Sequence, residues 1–167
     1  MSKSYFIIKN TQQENEINKP TAKTNGNGPV LTIPISISLK KIEETPQTKF
    51  VLNYVSATLR IVGLNNSDLT ITLPLSMDID SCSQSIYYFE FSLNKNLINQ
   101  IEGQRNSDVF FELKLDYHLS LYSYLQNAGQ PNACIFLKAA RSISELKFTI
   151  AQSDWVKNFL PNFGYRA

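Results

Sequence analysis

From Asp108 to Leu121 the chain alternates almost without a break. Phe111, Leu113, Leu115, Tyr117, Leu119 and Leu121 take one face, and Glu112, Lys114, Asp116, His118 and Ser120 take the other. A helix would scatter both sets around its barrel, because its period is 3.6, whereas a strand separates them at period two. The run therefore predicts a long antiparallel strand with one face on a core and one in water.

Other segments repeat the device. Leu31, Ile33, Ile35, Ile37 and Leu39 alternate with small polar residues and Pro34. A proline has no N–H for the ladder, so this strand is expected at an edge or at a bulge. Val51, Val55, Ala57, Leu59 and Ile61 form a further row interrupted by Asn53, and Leu69, Ile71, Leu73 and Leu75 another. Tyr87, Phe89, Phe91 and Leu93 follow, and Cys134–Ala140 and Leu146–Ile150 supply the last two strands. Turn residues such as Gly63, Asn65, Asn66 and Asp68 separate most of these runs. The pattern is that of an all-β chain, an antiparallel β-sandwich of seven to eight strands.

Two short helices interrupt it. One is expected at 94–102, with Leu97, Ile98 and Ile101 on one face, Asn94 as its cap and Gly103 as its stop. A C-terminal helix is expected at 154–160, capped by Ser153 and followed by Pro161, with Trp155 and Phe159 sharing a face.

Residues 10–28 hold only Ile17 and Ala22 as apolar side chains, too few to offset the entropy of ordering the stretch. This divides the chain into a polar N-terminal arm, 1–28, and a single sandwich domain, 29–167. The apolar tetrad Tyr5, Phe6, Ile7 and Ile8 at the start of the arm is expected to add a strand, either to its own sheet or to a neighbour's.

Composition narrows the function. Sixteen Lys and Arg against fourteen Asp and Glu leave a net charge of +2, which disfavours a dedicated nucleic-acid binder. Lys138, Arg141 and Lys147 near Phe136 offer at most a modest basic patch. No apolar run reaches the ~18–20 residues of a membrane span, and MSKSYFIIKN has no signal-peptide core, so the cytoplasm is the expected compartment. Cys82 and Cys134 are expected as reduced, packed thiols.

Catalytic and metal signatures are sparse. His118 is the single histidine and shares a polar face with Asp116, an acid–imidazole pairing that a hydrolase could use. No Gly-x-Ser-x-Gly elbow accompanies it. Asp78, Asp80 and Ser81 resemble half of a calcium loop without its Gly and Glu, and Gly26-Asn27-Gly28 lacks the strand–loop–helix setting of a phosphate cradle. No cofactor and no metal are expected.

The segment Ile150-Ala-Gln-Ser-Asp-Trp-Val-Lys-Asn-Phe-Leu-Pro-Asn-Phe-Gly-Tyr165 is the least generic part of the chain. It resembles the end of a group of uncharacterised prokaryotic proteins: a final strand, Ser-x-Trp, a short helix and a closing Gly-Tyr. An earlier helix with an Arg nearby, here Ile98-Asn-Gln-Ile-Glu-Gly-Gln-Arg105, precedes a long alternating strand in the same order. The resemblance covers Leu93 to Tyr165 and implies a β-sandwich with a terminal helix. It also implies an accessory subunit of a prokaryotic multi-protein system, antiviral defence among them, rather than an enzyme.

Two sets of residues are thus candidates for protein contact or self-association: Tyr5, Phe6, Ile7 and Ile8 in the arm, and Trp155, Phe159, Phe163 and Tyr165 at the other end. The aromatic set has a second reading, as a plug that closes one end of the sandwich. A small-ligand site for a carbohydrate or nucleotide would instead use Tyr87, Tyr88, Tyr117, Tyr122 or Tyr124 as stacking surfaces.

Overall fold

The structure, a computed structural model, describes residues 6–11, 19–26, 28–41, 48–64, 68–78, 84–103, 106–124 and 134–164. Among them are eight strands in two antiparallel sheets. They are β1 (Phe6–Thr11), β2 (Thr21–Asn25), β3 (Gly28–Lys41), β4 (Thr48–Ile61), β5 (Leu69–Asp78), β6 (Gln84–Ser92), β7 (Val109–Tyr124) and β8 (Cys134–Ile150). In the first sheet β3 pairs with β6 along one side and with β1 and β2 along the other; the second runs β5-β4-β7-β8.

The inward rows of both sheets meet in one core. Leu31, Ile33, Ile35, Ile37, Phe89 and Phe91 come from the first sheet. Leu52, Val55, Ala57, Leu59, Ile61 and the odd-numbered row Phe111–Leu121 come from the second. This is the all-β sandwich that the alternation implies.

Three strands differ from their sequence pattern. Pro34 does not mark an edge: β3 lies between β6 and the β1/β2 side, and is buried from Val30 to Ile37. Its neighbours on the second side stop short of it, since Thr21 of β2 reaches Thr32 and Thr11 of β1 reaches Ser36. Pro34 therefore falls in an interval where no strand among the described residues asks for its missing N–H. In β4, Asn53 is the extra residue of a bulge, between Leu52 opposite Leu119 and Tyr54 opposite His118. The bulge turns Leu52 inward in place of Val51, and Asn53 Nδ2 donates to Ser120 Oγ at 2.6 Å. Finally, Cys134–Ala140 and Leu146–Ile150 are not two strands. They are the ends of one strand of 17 residues, with Arg141–Glu145 continuing between them.

Part of the polar stretch 10–28 is built into the first sheet. Thr21–Asn25 pairs with Gly28–Thr32, and Gly28, at φ 108°, supplies the turn conformation that other residues resist. The gain here is backbone pairing rather than apolar burial, which is why alternation did not reveal it. Lys23 Nζ lies 2.8 Å from Glu90 Oε1, an ion pair running from β2 to β6 across β3, where Val30 and Thr32 are buried.

Helix α1 (Lys95–Glu102) is capped by Asn94, whose Oδ1 accepts from Leu97 N at 2.7 Å, and it buries Leu97, Ile98 and Ile101. The C-terminal helical segment starts at Gln152, and Ser153 is not its cap. Asp108 takes that role from the start of β7, its Oδ1 accepting from Gln152 N at 2.8 Å. The segment then runs through a π turn, Trp155–Phe159, into Leu160–Asn162, and Gly164 leaves it at φ 88°.

Candidate functional site

The polar face of the second sheet carries a cluster of charged and aromatic side chains assembled from three strands. His118 on β7 stands opposite both Tyr54 on β4 and Arg141 on β8. The Tyr54 and His118 rings stack, with centroids 4.3 Å apart and planes 15° from parallel. His118 Nε2 lies 3.3 Å from Asp116 Oδ1. Arg141 reaches diagonally across the ladder to the same carboxylate, donating from Nε to Oδ1 at 2.7 Å and from Nη2 to Oδ2. These hydrogen bonds hold the Asp116 carboxyl below the ordinary carboxylate range, against an opposing desolvation, with the His118 charge adding to the effect. Asp116 in turn raises the already high pKa of the guanidinium.

Beneath this face Tyr117 is fully buried. Burial pushes its hydroxyl far above the usual phenol value.

Asp116 and His118 are thus adjacent, as the alternation implied. Asp116, however, is already engaged by an arginine and His118 by a ring. Cys134 is not near them: it stands opposite Tyr124, six positions along β7 from His118, or ~20 Å at strand rise. Cys134 is a free thiol, and Cys82 lies outside the described residues. No group of three or more metal-ligating side chains occurs among the described residues. Of the half calcium loop, only Asp78 is described, at the end of β5.

The interaction candidates fall into two groups. Phe6, Ile7 and Ile8 belong to β1 and pair in the chain's own sheet, opposite Lys41, Lys40 and Leu39. Trp155, Phe159 and Phe163 are buried and form the plug. Trp155 stacks on Phe159 at 5.3 Å, meets Phe163 edge-on at 5.9 Å and lies 6.1 Å from Phe111. Thr24 Oγ1 donates to Asn162 O at 2.9 Å and ties this plug to β2. Tyr5 and Tyr165 lie outside the described residues. Among the tyrosines suggested as stacking surfaces, Tyr88 is exposed, Tyr87 and Tyr122 are half-buried, and Tyr117 is core.

The three basic residues of β8 do not share one patch. Lys138 stands opposite Leu121 on the core-side row, Arg141 is tied to Asp116, and Lys147 faces Glu112.

Strand β8 carries what the sequence reading missed. It is the last strand of its sheet, paired with β7 alone among the described residues. Ile135, Phe136 and Leu137 are 52%, 54% and 51% exposed, and Ile143 is 50% exposed. A register shift between Leu121 and Tyr122 makes Leu137 a bulge residue and sets Phe136 edge-on against Tyr122 at 5.8 Å. The sequence signal was present, since Ile143 stands alone between serines, but it became legible only once Arg141–Glu145 was seen to be strand.

No family model matches the chain, and no curated protein matches it in sequence. Among solved structures it is similar to a crystal structure of a protein from Archaeoglobus fulgidus, with a TM-score of 0.41 and 8% identity over 87% of this chain and 97% of that one. It is also similar to the solution structure of AT1g01470 from Arabidopsis thaliana, with a TM-score of 0.35 and 14% identity over 77% of each chain. At these scores neither likeness carries an argument. No helix among the described residues is long and apolar enough to cross a membrane.

Proposed function

We propose that this chain is a non-enzymatic interaction module, an accessory cytoplasmic subunit that docks onto other proteins or onto copies of itself through the outer edge of β8. The observation that carries the reading is the run Ile135-Phe136-Leu137, each more than half exposed, on a strand that closes its sheet. Single exposed apolar residues are ordinary on protein surfaces. Three in succession on an edge strand are different, because the edge adds hydrogen-bonding groups to the apolar surface. In this reading residues 1–28 form an arm whose strands β1 and β2 clasp β3.

The test is native mass spectrometry of the protein purified from its host, alongside a Phe136→Lys variant. A stoichiometric complex that the variant loses, with its circular dichroism unchanged, supports the reading. A wild-type protein that emerges without any partner, itself included, refutes it.

A second reading rests on the Tyr54–His118 stack beside the Asp116–Arg141 pair, which offers a flat ring and a charged group to a small ligand. It predicts a thermal shift with a sugar or nucleotide that disappears in Tyr54→Ala.

A further inference from the structure

We propose that two copies of the chain pair antiparallel along β8, about a twofold axis at Ile143, and so join their second sheets into one. This rests on the interaction reading above and names its partner as a second copy.

Between Ala139 and Ile150 the strand is regular. Its one register shift against β7 lies earlier, and no proline interrupts it. The sheet's opposite edge, β5, holds Pro74 and faces the β4 bulge, devices that blunt an edge. The middle of β8 relies on charge alone, and the arrangement of those charges decides between protection and pairing.

Along β8, Ala140, Ser142, Ser144, Leu146 and Phe148 are half-buried, while Arg141, Ile143, Glu145, Lys147 and Thr149 are exposed. Directly opposed residues in an antiparallel pair point to the same face. A twofold pairing centred on one residue therefore keeps polar face beside polar face, and only the choice of centre remains. With Ile143 at the centre, the two Ile143 side chains meet, and Arg141 of each copy lies opposite Glu145 of the other. Centring on Arg141 or on Glu145 opposes like charges at the axis. Centring on Ser144 sets Arg141 against Lys147, and centring on Ser142 sets Arg141 against Ile143. Centring on Leu146 also pairs Glu145 with Lys147, but it puts a half-buried residue packed against the core at the axis and carries Arg141 past the end of the strand. The Ile143 register instead places its two Arg141–Glu145 pairs around an exposed aliphatic residue. Asp116 already fixes the guanidinium of Arg141 through Nε and Nη2, so little ordering of that side chain remains when Glu145 of the second copy arrives.

The experiment is cysteine cross-linking in a Cys82→Ser, Cys134→Ser background, with sedimentation velocity on the unaltered chain. Opposed Cβ atoms ~4.5–5.5 Å apart can close a disulfide with slight adjustment. Expected are a dimer in sedimentation, efficient self-linking of Ile143→Cys, and little self-linking of Glu145→Cys. Glu145→Cys should link well when mixed with Arg141→Cys. A monomer at every concentration overturns the proposal, as does self-linking of Glu145→Cys equal to that of Ile143→Cys. Either failure leaves the broader interaction reading to be decided by the host complex, which this cross-linking does not measure.

Discussion

Arg141 on β8 holds Asp116 on β7 through two hydrogen bonds, Nε to Oδ1 at 2.7 Å and Nη2 to Oδ2, and His118 stands 3.3 Å from the same carboxylate. One carboxylate thus anchors two strands and two basic side chains on a face that is otherwise open to water.

The pair gives stability a direction in pH. Asp116 titrates below its unfolded value of ~3.9. Its contribution is therefore fully present above that value and is lost as pH falls through the lower, folded value. Urea midpoints measured from pH 6 to pH 2 should drop more steeply for the wild type than for Asp116→Asn. Parallel curves would remove Asp116 from the account.

Trp155 is the centre of the plug. It is fully buried against Phe159, Phe163 and Phe111, so Trp155→Ala should cost about 3–5 kcal/mol in urea unfolding followed by circular dichroism. Its Nε1–H is buried without a hydrogen-bond partner. Trp155→Phe removes that unmet donor along with some ring volume, and should cost only about 1 kcal/mol. Equal losses for the two variants would contradict the packing described.

Asn53 and Ser120 bind the β4 bulge to β7. Removing the hydroxyl with Ser120→Ala leaves the Asn53 amide without that acceptor and should cost about 1 kcal/mol. Adding Asn53→Ala should then cost little more, because the two residues act as one unit. Fully additive losses would show that the contact contributes nothing.

The exposed apolar run of β8 should behave as surface in the folded chain. Ile135→Ser and Leu137→Ser should change unfolding free energy by no more than about 0.5 kcal/mol while lowering self-association in light scattering. A large loss of stability would instead make these residues part of a core.

Much of the fold was legible because period-two alternation is a direct physical signature. Phe111 to Leu121 reads as one strand face in the sequence and is one in the structure. The failures share a cause, since each depends on a neighbour that sequence spacing does not name. Thr21–Asn25 is held by the backbone of β3, Asp108 caps a helix 44 positions away, and Asn53 is displaced by its register against β7. The site was legible only as far as Asp116 beside His118. Tyr54 and Arg141 join them through cross-strand register, and the place of β8 as the last strand of its sheet among the described residues follows from sheet order.

The most direct measurement is amide hydrogen exchange along β8 as protein concentration rises. The account predicts growing protection between Ala139 and Lys147, with the edge strand β5 unchanged. Exchange in β8 that is the same at every concentration would contradict it.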